Sequence, residues 1–555
     1  MNKNETPTPW KRFVNLLKLD KKDIYQICYY AIFAGLVNLS LPLGIQAIIN
    51  LLQSAQVSTS WVVLVVVVTL GVAFAGVLQL MQLRIIEDIQ QKIFTRSAFE
   101  FSYRFPKIKI SELQNYYPPE LANRFFDTIT VQKSISKILI DIPAALLQIL
   151  FGLILLSFYH SFFIIYGLLL IVFIYIVFKF TMRQGLETSL DESKHKYRVI
   201  HWIQEVARSI ISFKLSGKTS HAMDKSDTLV DRYIDARESH FKILMLQFGQ
   251  LIGFKVLVTA GLLVIGGMLV LNQQMNIGQF VAAEIIILLV INSVEKLILG
   301  LEIGYDMLTS LEKIGQVVDK ELEPQPQSTE FKINGELRLQ LEDIIFRYNK
   351  KEKPLLNELS LEIPQGSKII IKGAQGSGRS TLLHLIAGLQ EPESGNIYIN
   401  NMSIDGISPN SYRGNIGQII AEETPFEGTI KDNITFGSKN ITEEDLKWAI
   451  ENTGLTEFIK KQPKGWNTVI YPEGRQIPST IAKKIVIARS IVKRPKLLIL
   501  DKALDSFQEK EARRIIDFLT APEHNWSLVV VTEDNYWSTK CTIQYNLENG
   551  KLFRF

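Results

Sequence analysis

The sequence predicts a multidomain membrane protein: a six-helix, all-α transmembrane domain followed by an α/β domain. Three observations carry this. Long apolar runs such as Trp61-Val-Val-Leu-Val-Val-Val-Val-Thr-Leu70 are confined to residues up to about 305. The remainder alternates short apolar runs with charged segments, as a soluble α/β domain does. Within that remainder, Gly373-Ala-Gln-Gly-Ser-Gly-Arg-Ser-Thr381 lies between a strand-like run, Lys368 to Lys372, and a helix-like run, Leu382 to Gly388. Strand, glycine loop and helix form the context of a phosphate-binding (Walker A) loop, because loop N–H groups and a helix N-terminus converge on an anion.

At 555 residues and 47% hydrophobic, the chain is too long for one domain and too apolar for an ordinary soluble enzyme. A net charge of +5 is small for this length and points to no nucleic-acid partner. Cys28 and Cys541 are the only cysteines and fall in different regions, which argues against a disulfide framework or a Cys-based metal site. Met1 to Asp20 is polar and basic without a small-residue cleavage site, so it reads as a cytosolic lead-in and not a removable signal. Trp10, Phe13, Leu16 and Leu17 share a helical face there.

Spanning segments are expected near Tyr25 to Leu52, Trp61 to Leu83, Ile138 to Tyr159, Phe162 to Phe180, Leu246 to Leu271 and Ile277 to Leu299. The three short connections, around Gln53 to Ser60, His160 to Ser161 and Asn272 to Asn276, contain no lysine or arginine. The two long ones, about Gln82 to Lys137 and Lys179 to Lys242, are rich in charge, as are both chain ends. By the positive-inside rule both termini and both long connections are cytoplasmic. Arg84 to Phe94 and Tyr197 to Ala207 carry amphipathic helical periodicity, so the spanning helices should continue beyond the bilayer. Pro118-Pro119 and Ser216 to Ser220 are turn signals where such helices would break. Lys255 and Glu284 are ionisable residues inside spans; Lys255, toward the cytoplasmic end, reads as a snorkelling lysine.

A polar, proline-containing linker is expected at 320–335, between a transmembrane domain at 1–319 and a nucleotide-binding domain at 336–555. Strands at Leu337 to Leu341 and Ser360 to Ile363 flank Phe346-Arg-Tyr348, and Lys496-Leu-Leu-Ile-Leu-Asp501 is a buried strand ending in a carboxylate. That last run has the form of a Walker B motif, whose Asp holds phosphate-bound magnesium. With these motifs the chain resembles an ATP-binding cassette (ABC) half-exporter over nearly its whole length. Leu41 to Asn50 and Asn276 to Ala282 are similar to segments of bacterial peptide- and protein-secreting exporters. The resemblance implies a multi-pass protein of the inner or plasma membrane that binds ATP and Mg. It implies a homodimer, or a heterodimer with another ABC half-transporter, in which each ATP is sandwiched between one subunit's Walker motifs and the other's signature peptide. An adjacent periplasmic adaptor would fit secretion of a peptide or protein. Tyr348 falls where the family stacks adenine. Gly373, Gly376, Ser377, Gly378, Arg379, Ser380 and Thr381 fall on the phosphate cradle, and Ser380 and Asp501 on the Mg ligands.

The resemblance fails where the family does its chemistry. Arg379 stands in place of the phosphate-loop lysine, and Lys502 in place of the glutamate that activates water. Ala421 replaces the metal-sensing glutamine, although a shift of one residue would supply Glu422. Glu533 replaces the switch histidine, and Ile477-Pro-Ser-Thr-Ile481 the Leu-Ser-Gly-Gly-Gln signature. A guanidinium cannot insert between phosphates as an ammonium does, and a protonated lysine cannot accept a proton. Ala421 has no oxygen for a cation, and Pro478 lacks an N–H donor. The expected function is therefore an export subunit that binds ATP but turns it over weakly or not at all, with no intact catalytic residue. Two alternatives stand beside it: a pseudo-transporter acting as a structural or regulatory subunit, and a working exporter in which Arg379 and Glu422 compensate.

Overall fold

The computed structural model describes residues 7–53, 59–324, 337–349, 351–420 and 423–555. Most of the expected linker, and Ala421 with Glu422, lie outside the described residues. The chain divides into two compact units: Met1–Lys107 with Asn115–Lys320, and Glu321–Phe555 with Ile108–Gln114.

In the first unit, six helices among the described residues are long and apolar enough to cross a membrane. They start from a short amphipathic helix, Pro9–Leu19, capped by the Thr8 hydroxyl. The first span is broken at Leu39 into Lys21–Asn38 and Ser40–Gln53. Pro42 explains the break, since it has no N–H to return to the carbonyl four residues back. The next spans lie within Thr59–Arg104, Asp127–Tyr159 and Phe162–Arg208. The fifth, His221–Gly261, continues through a π-turn at Leu262–Gly266 to Leu271. The sixth is Ile277–Val318, opened by a capping box between Asn276 and Gln279.

The helix Thr59–Arg104 has 46 residues. At about 1.5 Å per residue it is roughly twice as long as a ~30 Å hydrocarbon core. The amphipathic continuations read from the sequence are thus single helices with the spans. The first of these long helices ends at Arg104, ahead of Pro106, so Pro118 does not break it but opens the short helix Pro118–Ala122. After Phe162–Arg208 and the short helix Ile210–Leu215 the chain turns between Ser216 and Ser220, where Gly217 takes φ +71°.

Some ionisable and polar groups pair from one helix to another. Lys255 pairs with Glu295 of the sixth helix, so it is an ion-pair partner and not simply a snorkelling side chain. Buried Gln247 donates to the Thr181 hydroxyl at 2.7 Å and to the Tyr305 hydroxyl at 2.9 Å. Gly185 makes room for that tyrosine: a Cβ there would lie 2.3 Å from its ring.

The second unit is built on two sheets. One has strands β1 (Leu339–Phe346), β2 (Leu356–Ile363), β4 (Ser394–Ile399) and β5 (Met402–Ser403) in the order β2-β1-β4-β5. The other orders β3 (Lys368–Gly373), β6 (Ile416–Ile419), β9 (Leu497–Asp501), β10 (Ser527–Val531), β11 (Ile543–Glu548) and β12 (Lys551–Arg554) as β12-β11-β3-β10-β9-β6. A small hairpin pairs β7 (Gly428–Thr429) with β8 (Val469–Ile470).

The core of the larger sheet, β11-β3-β10-β9-β6, is parallel. Parallel strands need cover on both faces, and alternation along each strand provides it. Ile370, Leu498, Leu500, Leu528 and Val530 pack with the helices Ser479–Ile491 and Glu509–Thr520. Ile369, Ile371, Leu497, Ile499, Val529 and Val531 pack against the first sheet and the helix Arg379–Ile386. Three parallel strands therefore end side by side, β3 in the glycine loop, β9 in Asp501 and β10 two residues before Glu533. Ligands of open α/β sheets bind at such carboxyl ends.

Candidate functional site: the phosphate loop and its neighbours

The glycines of the loop are fixed by backbone geometry. At Gly373 φ is +154°, and a Cβ would sit 2.5 Å from the carbonyl oxygen of Leu547. Gly378 has φ +101° and hands the chain directly to the helix Arg379–Ile386. Gly376 and Ser377 complete the turn between them, and the Ser377 hydroxyl is buried without a partner.

The two residues expected at the metal position lie side by side. Ser380, in the first turn of that helix, donates its hydroxyl to Asp501 Oδ2 at 2.6 Å. Asp501 is 1% exposed, and its Oδ1 has no hydrogen-bond partner. A buried carboxylate oxygen without a partner, beside a hydroxyl and an anion cradle, fits a magnesium ion that arrives with phosphate. No group of three or more His, Cys, Asp or Glu that could hold a metal by protein ligands alone exists among the described residues.

Tyr348 is tethered to the same helix, its hydroxyl 2.9 Å from that of buried Thr381. About half of the tyrosine side chain remains exposed, which leaves it open to stack on a base.

The sequence reading treats Arg379 and Glu533 as two separate departures, whereas the structure joins them. Arg379 Nη1 donates to Glu533 Oε1 at 2.5 Å, with the arginine side chain 6% and the glutamate 66% exposed. The Arg379 guanidinium, with Lys502 and Lys372 nearby, holds the Glu533 carboxyl below its usual range. The arginine charge is thus already shared with a carboxylate. The only sequence signal for this pairing is that two altered positions, both expected to face phosphate, carry opposite charge.

Lys502 follows β9 with φ +48°, its N–H bonded to the Val531 carbonyl at 2.9 Å. The Lys502 side chain is exposed. Thr532 donates to Asp505 at 3.1 Å, a contact the sequence reading misses because an Asp four residues past a strand carries no pattern. Near the position of Ala421, Glu423 turns to Arg489 at 3.3 Å. Pro478 caps the helix Ser479–Ile491, and the Ile481 and Ala482 N–H groups bond back to its carbonyl.

Two family profiles match the chain: the ABC transporter transmembrane region over residues 25–294, and the ABC transporter profile over residues 356–505. The chain belongs to the ABC transporter family. It has the half-exporter order, one transmembrane region followed by one ATP-binding domain. A solved bacterial Atm1-family ABC exporter with ATP bound has the same fold, with TM-score 0.82 and 16% identity over 96% of this chain and 94% of that one. The ABC transporter ATP-binding protein YfiB of Bacillus subtilis is 28% identical over 242 residues, 43% of this chain and 42% of its own length. The ABC-type transporter kk1G of Curvularia clavata is 29% identical over 217 residues, 39% of this chain and 16% of its own length. The chain thus spans less than half the length of either curated relative.

Tyr348 and Glu533 lie outside the residues matched by the ABC transporter profile. Their hydrogen bonds to Thr381 and Arg379 attach them to the helix that follows the glycine loop.

Proposed function

We propose that this ABC transporter is an export subunit whose cassette binds ATP with Mg but hydrolyses it weakly or not at all. The observation that carries the reading is the Arg379–Glu533 ion pair, which engages the cation that should stabilise a transferring phosphoryl group. Binding is supported by what remains. The loop from Gly373 to Gly378 and the helix N-terminus would cradle the phosphates, Ser380 and Asp501 would hold Mg, and Tyr348 would stack on the base. An ion held there would supply neutralisation of phosphate charge. Turnover lacks a base, because an ammonium at Lys502 repels a proton instead of accepting one.

In this reading the protein is a multi-pass subunit of the inner or plasma membrane with both termini cytoplasmic. It works as a homodimer or pairs with another ABC half-transporter, and it serves export of a peptide, protein or other substrate. A periplasmic adaptor fits the secretion of a peptide or protein. Photolabelling of purified protein by ATP, without phosphate release, is the expected outcome. Absence of labelling at millimolar ATP would instead assign the pseudo-transporter role.

A further inference from the structure

We propose that the nucleotide site of this chain is selective for a nucleoside diphosphate over a triphosphate, with Glu533 as the selectivity residue. The inference rests on the nucleotide-binding reading above and goes further in naming which nucleotide the site retains.

The geometry is specific. Three neighbouring strands end at the site, with Glu533 two residues past the end of β10, the strand that lies between β3, which leads into the phosphate loop, and β9, which ends in Asp501. In this class of site the loop cation reaches the β- and γ-phosphates, and the loop Ser and the strand Asp would hold the metal. Here the loop cation already has an anion, the Glu533 carboxylate at 2.5 Å. A carboxylate bonded to a guanidinium stands in for a terminal phosphate in charge and hydrogen bonding.

The two nucleotides meet different costs. A diphosphate ends in the cradle formed by the loop and the first turn of the helix Arg379–Ile386, beside Ser380 and the unpartnered oxygen of Asp501. It leaves the ion pair in place. Arg379 has five N–H donors and spends one of them on Glu533, so others remain for a β-phosphate. A triphosphate must displace the carboxylate from Arg379 and then hold its last phosphate beside a displaced negative charge. The largely exposed Glu533 can move, so the effect is a bias and not a block.

The test is calorimetric titration of the full chain in lipid nanodiscs with MgADP, MgATP and the β,γ-imido analogue of ATP. The expected result is a Kd for ADP about tenfold below that for either triphosphate, a difference of about 1.4 kcal/mol. Glu533→Gln, which keeps the shape and removes the charge, should bring the ratio to within about threefold, or roughly 0.65 kcal/mol. Glu533→His should do the same and guards against a local effect of glutamine. Equal or tighter binding of ATP by the unaltered protein overturns the selectivity and leaves the nucleotide-binding reading standing. A tenfold preference for ADP that survives both substitutions overturns the role of Glu533. No binding of any of the three at millimolar concentration overturns both readings together.

Discussion

Arg379 and Glu533 read as two losses when the family pattern is followed position by position, and as one exchange when their atoms are followed. Where the family pattern implies a lysine and a histidine, this chain carries an arginine and a glutamate that pair with each other. This predicts a pH signature. The carboxyl of Glu533 is held low in the folded state, so its contribution to stability is present above the unfolded value of about 4.3 and is lost as pH falls through the folded pKa. The melting temperature of the unaltered protein should therefore fall more steeply below about pH 5 than that of Glu533→Gln. Because the glutamate is mostly exposed, the difference should be small and should shrink in high salt. At the metal position, chelation of Mg should weaken nucleotide binding about tenfold in the unaltered protein and have no further effect in Asp501→Asn. Equal chelator sensitivity in the two proteins would remove Asp501 from the metal site.

Among the elements, the glycine loop is where sequence and structure agree most closely. Gly373 has a backbone conformation closed to side chains and a carbonyl 2.5 Å from any Cβ. Gly373→Ala should destabilise the ATP-binding domain by about 1–3 kcal/mol, lowering its melting temperature by roughly 2–4 °C per kcal/mol. An unchanged melting temperature would mean that the loop relaxes at no cost. The six spans were equally legible, because run length and polarity decide whether a helix crosses a bilayer. The break at Leu39 was not read, although Pro42 supplies its cause in the sequence. The Lys255–Glu295 and Gln247–Tyr305 contacts were not legible either, since each joins different helices. Choice of partner across helices depends on rotation and register, which hydrophobic periodicity leaves open. The same limit hid the Arg379–Glu533 pair, whose members are 154 residues apart.

For the whole molecule, the altered positions bear on any assembly. If two cassettes share two sites as the family pattern implies, a partner of any kind still meets Lys502 in one site and the segment Ile477 to Ile481 in the other. A heteromeric assembly would then retain no site made wholly of consensus parts, and a homodimer would carry every departure twice. The central claim is that this ABC transporter binds nucleotide without efficient turnover. The most direct test is phosphate release by the purified full chain in nanodiscs at saturating MgATP. The account predicts a rate far below about 1 per second, the lower end of ordinary enzyme turnover, with nucleotide nonetheless bound. A rate of about 1 per second or more that is abolished by Asp501→Ala would contradict it.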